Sequence, residues 1–296
     1  MIKALTGLRP ENPIAWMAAC GALRLLPGAR LRWAGQTPEL NCPSDPVAEL
    51  VGMLPQRVAA DEIRFDHKLS ANMDESAWTD LRTLPPHWLS ALGAQTERGA
   101  QGSNLRMRSG GNQHPVRDAL RMLQHLSRLD EDACRDKVQE ALFGPWRYED
   151  AGLVAWGWDA AARVDAAGIG CKAEDLGKRG LTSGVLAAYW LGWEALPLFP
   201  IVNGRTLGWH PSVGLTYPTW QEWLDYPELR ALMLGLARMR PREQAALGVR
   251  RWQAAFLRTD KTSGRLGWAM PIARTGIAAK SAGGSRDPNA RIALIK

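Results

Sequence analysis

Hydrophobic and polar positions change period several times along the chain. From Ile2, "IKALTGL" reads as a short strand that runs into turn residues. Asn12-Pro13 then opens a helix, with Asn12 as N-cap and Pro13 at the first helical position, where a missing N–H costs nothing. The apolar run "IAWMAACGALRLL" stops at Pro27-Gly28. In "ARLRWAG" the period is two, with Leu31 and Trp33 on one face and Arg30 and Arg32 on the other, and "IRFDHKL" (Ile63 to Leu69) alternates likewise. The middle of the chain turns helical. "PVRDALRMLQHLSRL" sets Val116, Leu120, Leu123 and Leu126 on one stripe, and Asp130 caps a second helix through Leu142, with Glu131 and Asp132 in its first turn. "SGVLAAYWLGWEAL" predicts a third helix, beginning near Thr182 or Ser183 and ending at Pro197. Short extended segments follow in "LFPIVN", "RTLGWH" and "GLTYPTW", then a helix in "YPELRALMLGLARM". "VRRWQAAFLR" and "GRLGWAMPIA" flank Thr262-Ser263-Gly264 as a hairpin.

Strands at both ends around a mainly helical middle predict an α+β fold with mixed or antiparallel strands. Residues 1–277 read as a single globular unit with a sub-boundary near 100–115, and residues 278–296 as a flexible basic tail rich in Gly, Ser and Ala. With 296 residues, 46% hydrophobic and 23% charged, the chain can bury a sizeable core. No apolar run approaches the roughly 20 residues that cross a bilayer. The first residues lack the charged-then-apolar layout of a signal peptide, so a cytoplasmic location is expected. Cys20, Cys42, Cys134 and Cys171 are scattered, with no C-x-x-C pair, which excludes the common zinc and redox motifs; Cys20 reads as a buried thiol.

Charge adds the first functional clue. The net charge is +7, yet from Arg238 onward thirteen Lys and Arg face only Glu243, Asp260 and Asp287. The last fifth of the chain therefore holds all the excess positive charge. Clustered cations are the footprint of phosphate-backbone binding, the alternative being a solvated basic tail. Arg250, Arg251, Arg258, Lys261 and Arg265 fall on the expected hairpin and are candidate phosphate contacts. A second candidate is the loop "RMRSGGNQHPVR" (Arg106 to Arg117). Its two glycines let backbone approach a groove, Asn112 and Gln113 carry the paired donors and acceptors that suit base edges, and Arg106 and Arg108 suit phosphate or guanine. The plain alternative is a connector facing water.

Catalytic signatures are absent from the sequence: there is no G-x-x-x-x-G-K-[ST], no H-E-x-x-H and no G-x-S-x-G. The five histidines stand apart, Asp66-His67 being the nearest to a metal pair, and His125 reads as a surface or packing residue. Asp150, Asp159 and Asp165 cluster around "WGWDAAARVD", where Asp159 and Arg163 have ion-pair spacing on a helix, but an acid/base pair needs a partner from elsewhere. No cofactor is implied. Fourteen tryptophans are unusual. Each reads as core packing before base stacking, and an exposed exception is the informative one.

Three stretches resemble a known group. "LTGLRPENPIAWMAACGALRLL" (Leu5 to Leu26) is similar to the N-terminal signature L-x-G-L-x-x-x-N-P of CRISPR-associated proteins from type I-G (formerly I-U) loci. "LVAWGWDAAAR" (Leu153 to Arg163) resembles their W-D-x-x-x-x-R element with one residue fewer between Asp159 and Arg163, and "EALPLFP" (Glu194 to Pro200) the segment after their central helix. The group includes large-subunit-like components of the RNA-guided surveillance complex and an extension family of the helicase–nuclease. The resemblance implies a non-catalytic nucleic-acid-binding subunit that works with other effector subunits, guide RNA and target DNA, away from membranes. It would contribute to flanking-motif recognition and helicase–nuclease recruitment. Within the signature, Gly7 and Pro13 are expected to shape a turn, and Ala18, Ala19 and Gly21 to let the helix pack closely. A metal-dependent nuclease and a protein–protein adaptor without nucleic-acid contact are the alternatives.

Overall fold

The computed structural model describes residues 1–59, 65, 67, 69, 72–106, 115–148, 156–161, 184–258 and 264–272. Its core is built on two helices that are apolar on every side. Helix α1 (Pro13–Leu25) buries each residue from Pro13 to Leu23, and helix α7 (Leu186–Glu194) buries all nine of its residues. A helix apolar all round belongs at the centre of a protein, and these two pack on each other more extensively than any other pair of elements. Small residues set their separation. A Cβ added at Gly21 would stand 1.8 Å from the Leu191 carbonyl oxygen, and one at Gly192 2.4 Å from Ile14 Cδ1. Close packing at Ala18, Ala19 and Gly21 is thus what the structure shows, the two alanines being fully buried. Arg24 enters this core to pair with the fully buried Glu194 and lies over the Trp88 ring, 5.1 Å from its centroid.

Around the pair, β1 (Ile2–Ala4), β2 (Arg30–Ala34) and β3 (Thr37–Asn41) form an antiparallel sheet in the order β1-β3-β2. Helices α2 (Pro46–Ala59), α3 (Glu75–Leu81) and α4 (Pro86–Leu92) lead to the hairpin β4 (Gly93–Thr96) and β5 (Gly99–Gly102). Helices α5 (Pro115–Ser127) and α6 (Glu131–Phe143) follow. On α5, Val116, Ala119, Met122, Leu123 and Leu126 are buried and Leu120 is half-buried, while His125 is exposed. Asp130 caps α6 by accepting from the Ala133 N–H at 2.7 Å. Beyond α7 come the short strands β6 (Ile201–Val202), β7 (Arg205–Thr206) and β8 (Trp209–His210), then β9 (Gly214–Thr219). Helices α8 (Tyr226–Gly235) and α9 (Pro241–Ala246) precede β10 (Arg250–Arg258) and β11 (Gly264–Pro271). The second main sheet is antiparallel, ordered β11-β10-β9-β8. The fold is α+β with antiparallel sheets, strands at both ends and helices between.

The two sheets share one core. Leu31 and Leu224 exchange backbone hydrogen bonds, and Trp220 Nε1 donates to the Leu31 carbonyl at 2.9 Å. Trp16, on α1, donates to the Pro218 carbonyl of β9 at 2.7 Å and meets Phe199 edge-on. Of the stretch Ile63–Leu69, only Phe65, His67 and Leu69 are described, and none of them lies in a strand. Residues 107–114 and the tail 278–296 lie outside the described residues. Among the described residues, no helix is long and apolar enough to cross a membrane.

Candidate nucleic-acid interface

Strand register decides which side chains of the β10–β11 hairpin share a face. Gln253 stands opposite Met270 and Leu257 opposite Arg265, whereas Ala254 and Ala269 face the core. Directly opposed residues point to one side of a sheet, and the parity of β10 adds Arg251 to the outer set. Between Ala254 and Phe256 the ladder shifts, so that Gly267 and Trp268 together oppose Ala255. Such a bulge bends the strand and redirects its extra side chain. The outer face therefore carries an apolar stripe with a guanidinium at either end. Trp268 is 55% exposed, Met270 69% and Leu257 42%, between Arg251 and Arg265. From Arg251 to Leu257 the stripe runs about 20 Å at roughly 3.3 Å per residue.

Of the expected cationic residues, the structure brings Arg251 and Arg265 together on this face. Arg250 lies on the opposite side, its guanidinium 5.0 Å from the Trp252 ring centroid. Arg258 ends β10 with its side chain outside the described residues, and Lys261 is outside them too. Arg106 closes a short 3-10 turn (Asn104–Arg106), its side chain not described, and Arg108, Asn112 and Gln113 lie outside the described residues.

Beside the hairpin opens a cleft of about 450 Å³ that residue patterns do not announce. One part of its wall is the loop before α1, through Thr6, Gly7, Arg9 and Asn12; another is the chain after α6, through Trp146 and Tyr148; Trp268 is the third. Gly7 makes the floor possible. Its N–H donates to the Leu142 carbonyl at 3.0 Å, and an added Cβ would meet Gly144 N at 2.5 Å, so only backbone fits against backbone here. The chain after α6 is firmly held. Trp146 Nε1 donates to the Ala141 carbonyl at 3.1 Å, and the Arg147 guanidinium reaches Asp136 at 2.6 Å and Glu140 at 3.0 Å. Those two carboxylates hold Arg147 on the α6 side, which leaves Trp146 and Tyr148 to the cleft. Tyr148 sits at φ 52°, a left-handed backbone that an aromatic residue rarely adopts without a compensating constraint.

Behind the cleft a polar knot ties the start of α1 to Asp159 and Ala160 and to Tyr148. Asn12 occupies the N-cap position of α1, but its side chain caps nothing. Its Nδ2 donates to Asp159 Oδ1 at 2.7 Å, and its Oδ1 accepts from the Ala160 N–H at 3.1 Å. The Tyr148 hydroxyl donates to the same carboxylate oxygen at 3.5 Å. Burial, and then the nearby Asp159 carboxylate, push the Tyr148 phenol well above its ordinary pKa, so it remains a donor. Asp159 is thus a buried structural acceptor. Asp150, Arg163 and Asp165, the other members of the expected acidic cluster and ion-pair spacing, lie outside the described residues. His67 pairs with Asp80 at 2.5 Å, and Asp66 is outside the described residues. Among the described residues, no three or more His, Cys, Asp and Glu come together as a metal site.

Fold and face together define an α+β protein with an exposed Trp–Met–Arg sheet surface next to an aromatic cleft. No protein-family model matches the chain, and no curated protein matches it.

Proposed function

We propose that the chain is a non-catalytic nucleic-acid-binding subunit of an RNA-guided type I CRISPR effector complex. The observation that carries nucleic-acid binding is the outer face of the β10–β11 hairpin, where exposed Trp268 and Met270 lie between Arg251 and Arg265. Exposed rings accept the π-faces of bases and flanking guanidiniums accept phosphates, a combination that tolerates any sequence. The tie to CRISPR effectors rests on the resemblance of Leu5–Leu26, Leu153–Arg163 and Glu194–Pro200. In that setting the chain contacts guide RNA or target DNA, and contributes to flanking-motif recognition and helicase–nuclease recruitment. Its address is the cytoplasm, where its partner subunits and nucleic acids are.

Fluorescence anisotropy of labelled single-stranded and duplex DNA, over a series of salt concentrations, tests this. Affinity falls steeply with salt, and the double variant Arg251→Gln, Arg265→Gln lowers the slope of log K against log salt by about 1–2, alike for all sequences. An unchanged slope overturns the assignment of this face. A second reading has its own support: the exposed Met270 and Leu257 side chains equally suit a protein partner. Co-expression with the other products of such a locus distinguishes them. In that reading Met270→Asp abolishes co-purification while DNA affinity stays unchanged.

A further inference from the structure

The cleft beside the hairpin has a chemistry of its own. Four aromatic residues from two separate parts of the chain line it: Phe143, Trp146 and Tyr148, the last two edge to face with centroids 6.0 Å apart, and Trp268 on the bulge of β11. Among the described residues that line it, Arg9 is the one charged group, and no carboxylate belongs to the lining. Arg9 is exposed and gives one Nη1 hydrogen bond to Thr37 Oγ1 at 3.0 Å. The Asp159 carboxylate behind the wall already accepts from Asn12, Tyr148 and the Ala161 N–H. The space is therefore aromatic and cationic, and it falls within the range of sites that enclose a small ligand.

Three features show that this wall is held in one arrangement and not left to collapse. Tyr148 is kept in a left-handed backbone conformation, Gly7 and Gly144 touch through backbone alone, and the bulge at Gly267-Trp268 carries Trp268 to the cleft. Backbone strain and a bulge at the same opening mark positions where the fold sets side-chain direction at a cost elsewhere.

We propose that this cleft takes a single unstacked nucleotide, with the base against Trp268 and the Trp146–Tyr148 pair and the phosphate on Arg9. This deepens, and rests on, the reading of the hairpin face as a nucleic-acid surface, because Trp268 belongs to both. A strand lying along the outer face reaches the cleft by turning one base over the β11 edge. The purine or pyrimidine π-face meets the rings, and the anion meets Arg9. An uncharged sugar would satisfy the rings and leave Arg9 without a counter-charge.

The intact chain tests this with adenosine 5′-monophosphate followed by NMR, beside adenosine and methyl glucoside. The monophosphate shifts tryptophan indole signals, adenosine binds at least fivefold more weakly, and methyl glucoside does not bind. Tyr148→Leu and Arg9→Gln each weaken the monophosphate at least tenfold, with circular dichroism confirming the fold. Arg82→Gln, at the end of α3 and outside both the cleft and the hairpin, leaves it unchanged. In parallel, a single-stranded oligonucleotide carrying 2-aminopurine is quenched at one position on binding, and Arg9→Gln removes that quench. If the oligonucleotide binds with ordinary salt dependence but no position is quenched and the monophosphate does not bind, the cleft proposal is overturned while the hairpin reading stands. If the oligonucleotide does not bind at all, the hairpin reading falls and the cleft proposal falls with it. Equal binding of methyl glucoside also overturns the nucleotide assignment.

Discussion

Helices α1 and α7 and the β10–β11 hairpin use tryptophan in opposite ways. In the helical pair, Trp16, Trp190 and Trp193 are excluded from solvent, and glycine and alanine let the backbones approach. On the hairpin, Trp252 points into the core with its Nε1 donating to Thr219 Oγ1 at 3.0 Å, whereas Trp268, on the neighbouring strand, is more than half exposed. The two hairpin tryptophans differ by register and by one bulge, not by sequence neighbourhood. Residue type states what a side chain can do; strand register decides whether solvent or core receives it.

The contrast is broken most severely from the helical side. Glu194→Ala leaves Arg24 in the core without its carboxylate, and the expected loss is about 3–5 kcal/mol, read by chemical denaturation. A loss under about 1 kcal/mol would show that the ion pair is not part of what holds α1 to α7. Next comes a matched pair of glycines. Gly21→Ala places a methyl 1.8 Å from the Leu191 carbonyl oxygen, so about 1–3 kcal/mol or more is lost. In α2, Gly52 has open space around its added Cβ, so Gly52→Ala gains about 0.5–1 kcal/mol from helix propensity. Equal signs for the two would refute the close-packing account. On the hairpin, Trp268→Ala changes stability by no more than about 0.5 kcal/mol and costs about 1–3 kcal/mol of single-strand affinity. The reverse pattern would make Trp268 a core residue in all but exposure.

The smallest effect is a pH dependence at the surface. Lys3, by hydrogen bond, holds the Asp45 carboxyl below its ordinary value, and the Asp225 N–H followed by Arg30 does the same for Glu228. Both groups are depressed, so their contribution is present above the ordinary carboxylate range and is lost as pH falls through the lowered values. Each is solvent-screened and contributes at most about 1 kcal/mol. Lys3→Met reduces the Asp45 share of the acid-limb slope in thermal melts, the Ala48 and Val47 N–H groups keeping the rest; an unaltered limb would disprove it.

Much of the frame is legible in the residues because the signals agree. Pro13 after Asn12, the Asp130 cap, the α5 stripe and the paired strands around Thr262-Ser263-Gly264 each place an element that the structure contains. Where signals oppose the fold, reading stops. β3 is the central strand of its sheet yet carries Pro38, which pairs with Trp33 at a position where proline argues against a strand. Helix α2 holds Pro55 within it, and β4 is "GAQT", with little β preference. Asn12 is placed correctly as N-cap, but its amide serves Asp159 and Ala160 instead of the helix, a long-range use that no local pattern encodes. The same holds for the cleft. Gly7 and Asn12 read as architecture, and "PWRY" gives only the alternation of Trp146 and Tyr148 around Arg147; what joins them to Trp268 is the bulge, and a bulge has no sequence period.

The outer edge of β11 has one more consequence. The Leu266 N–H donates to the Gly157 carbonyl and the Ala269 N–H to the Glu11 carbonyl, both at 2.7 Å. An open strand edge is a template on which another chain, or another copy, adds as the next strand and can propagate into fibres. Here two of the donors along that rim are already taken by the chain's own loops. Self-zipping at this edge is blunted, and a visitor to the hairpin must come broadside, onto side chains, where discrimination between partners is possible.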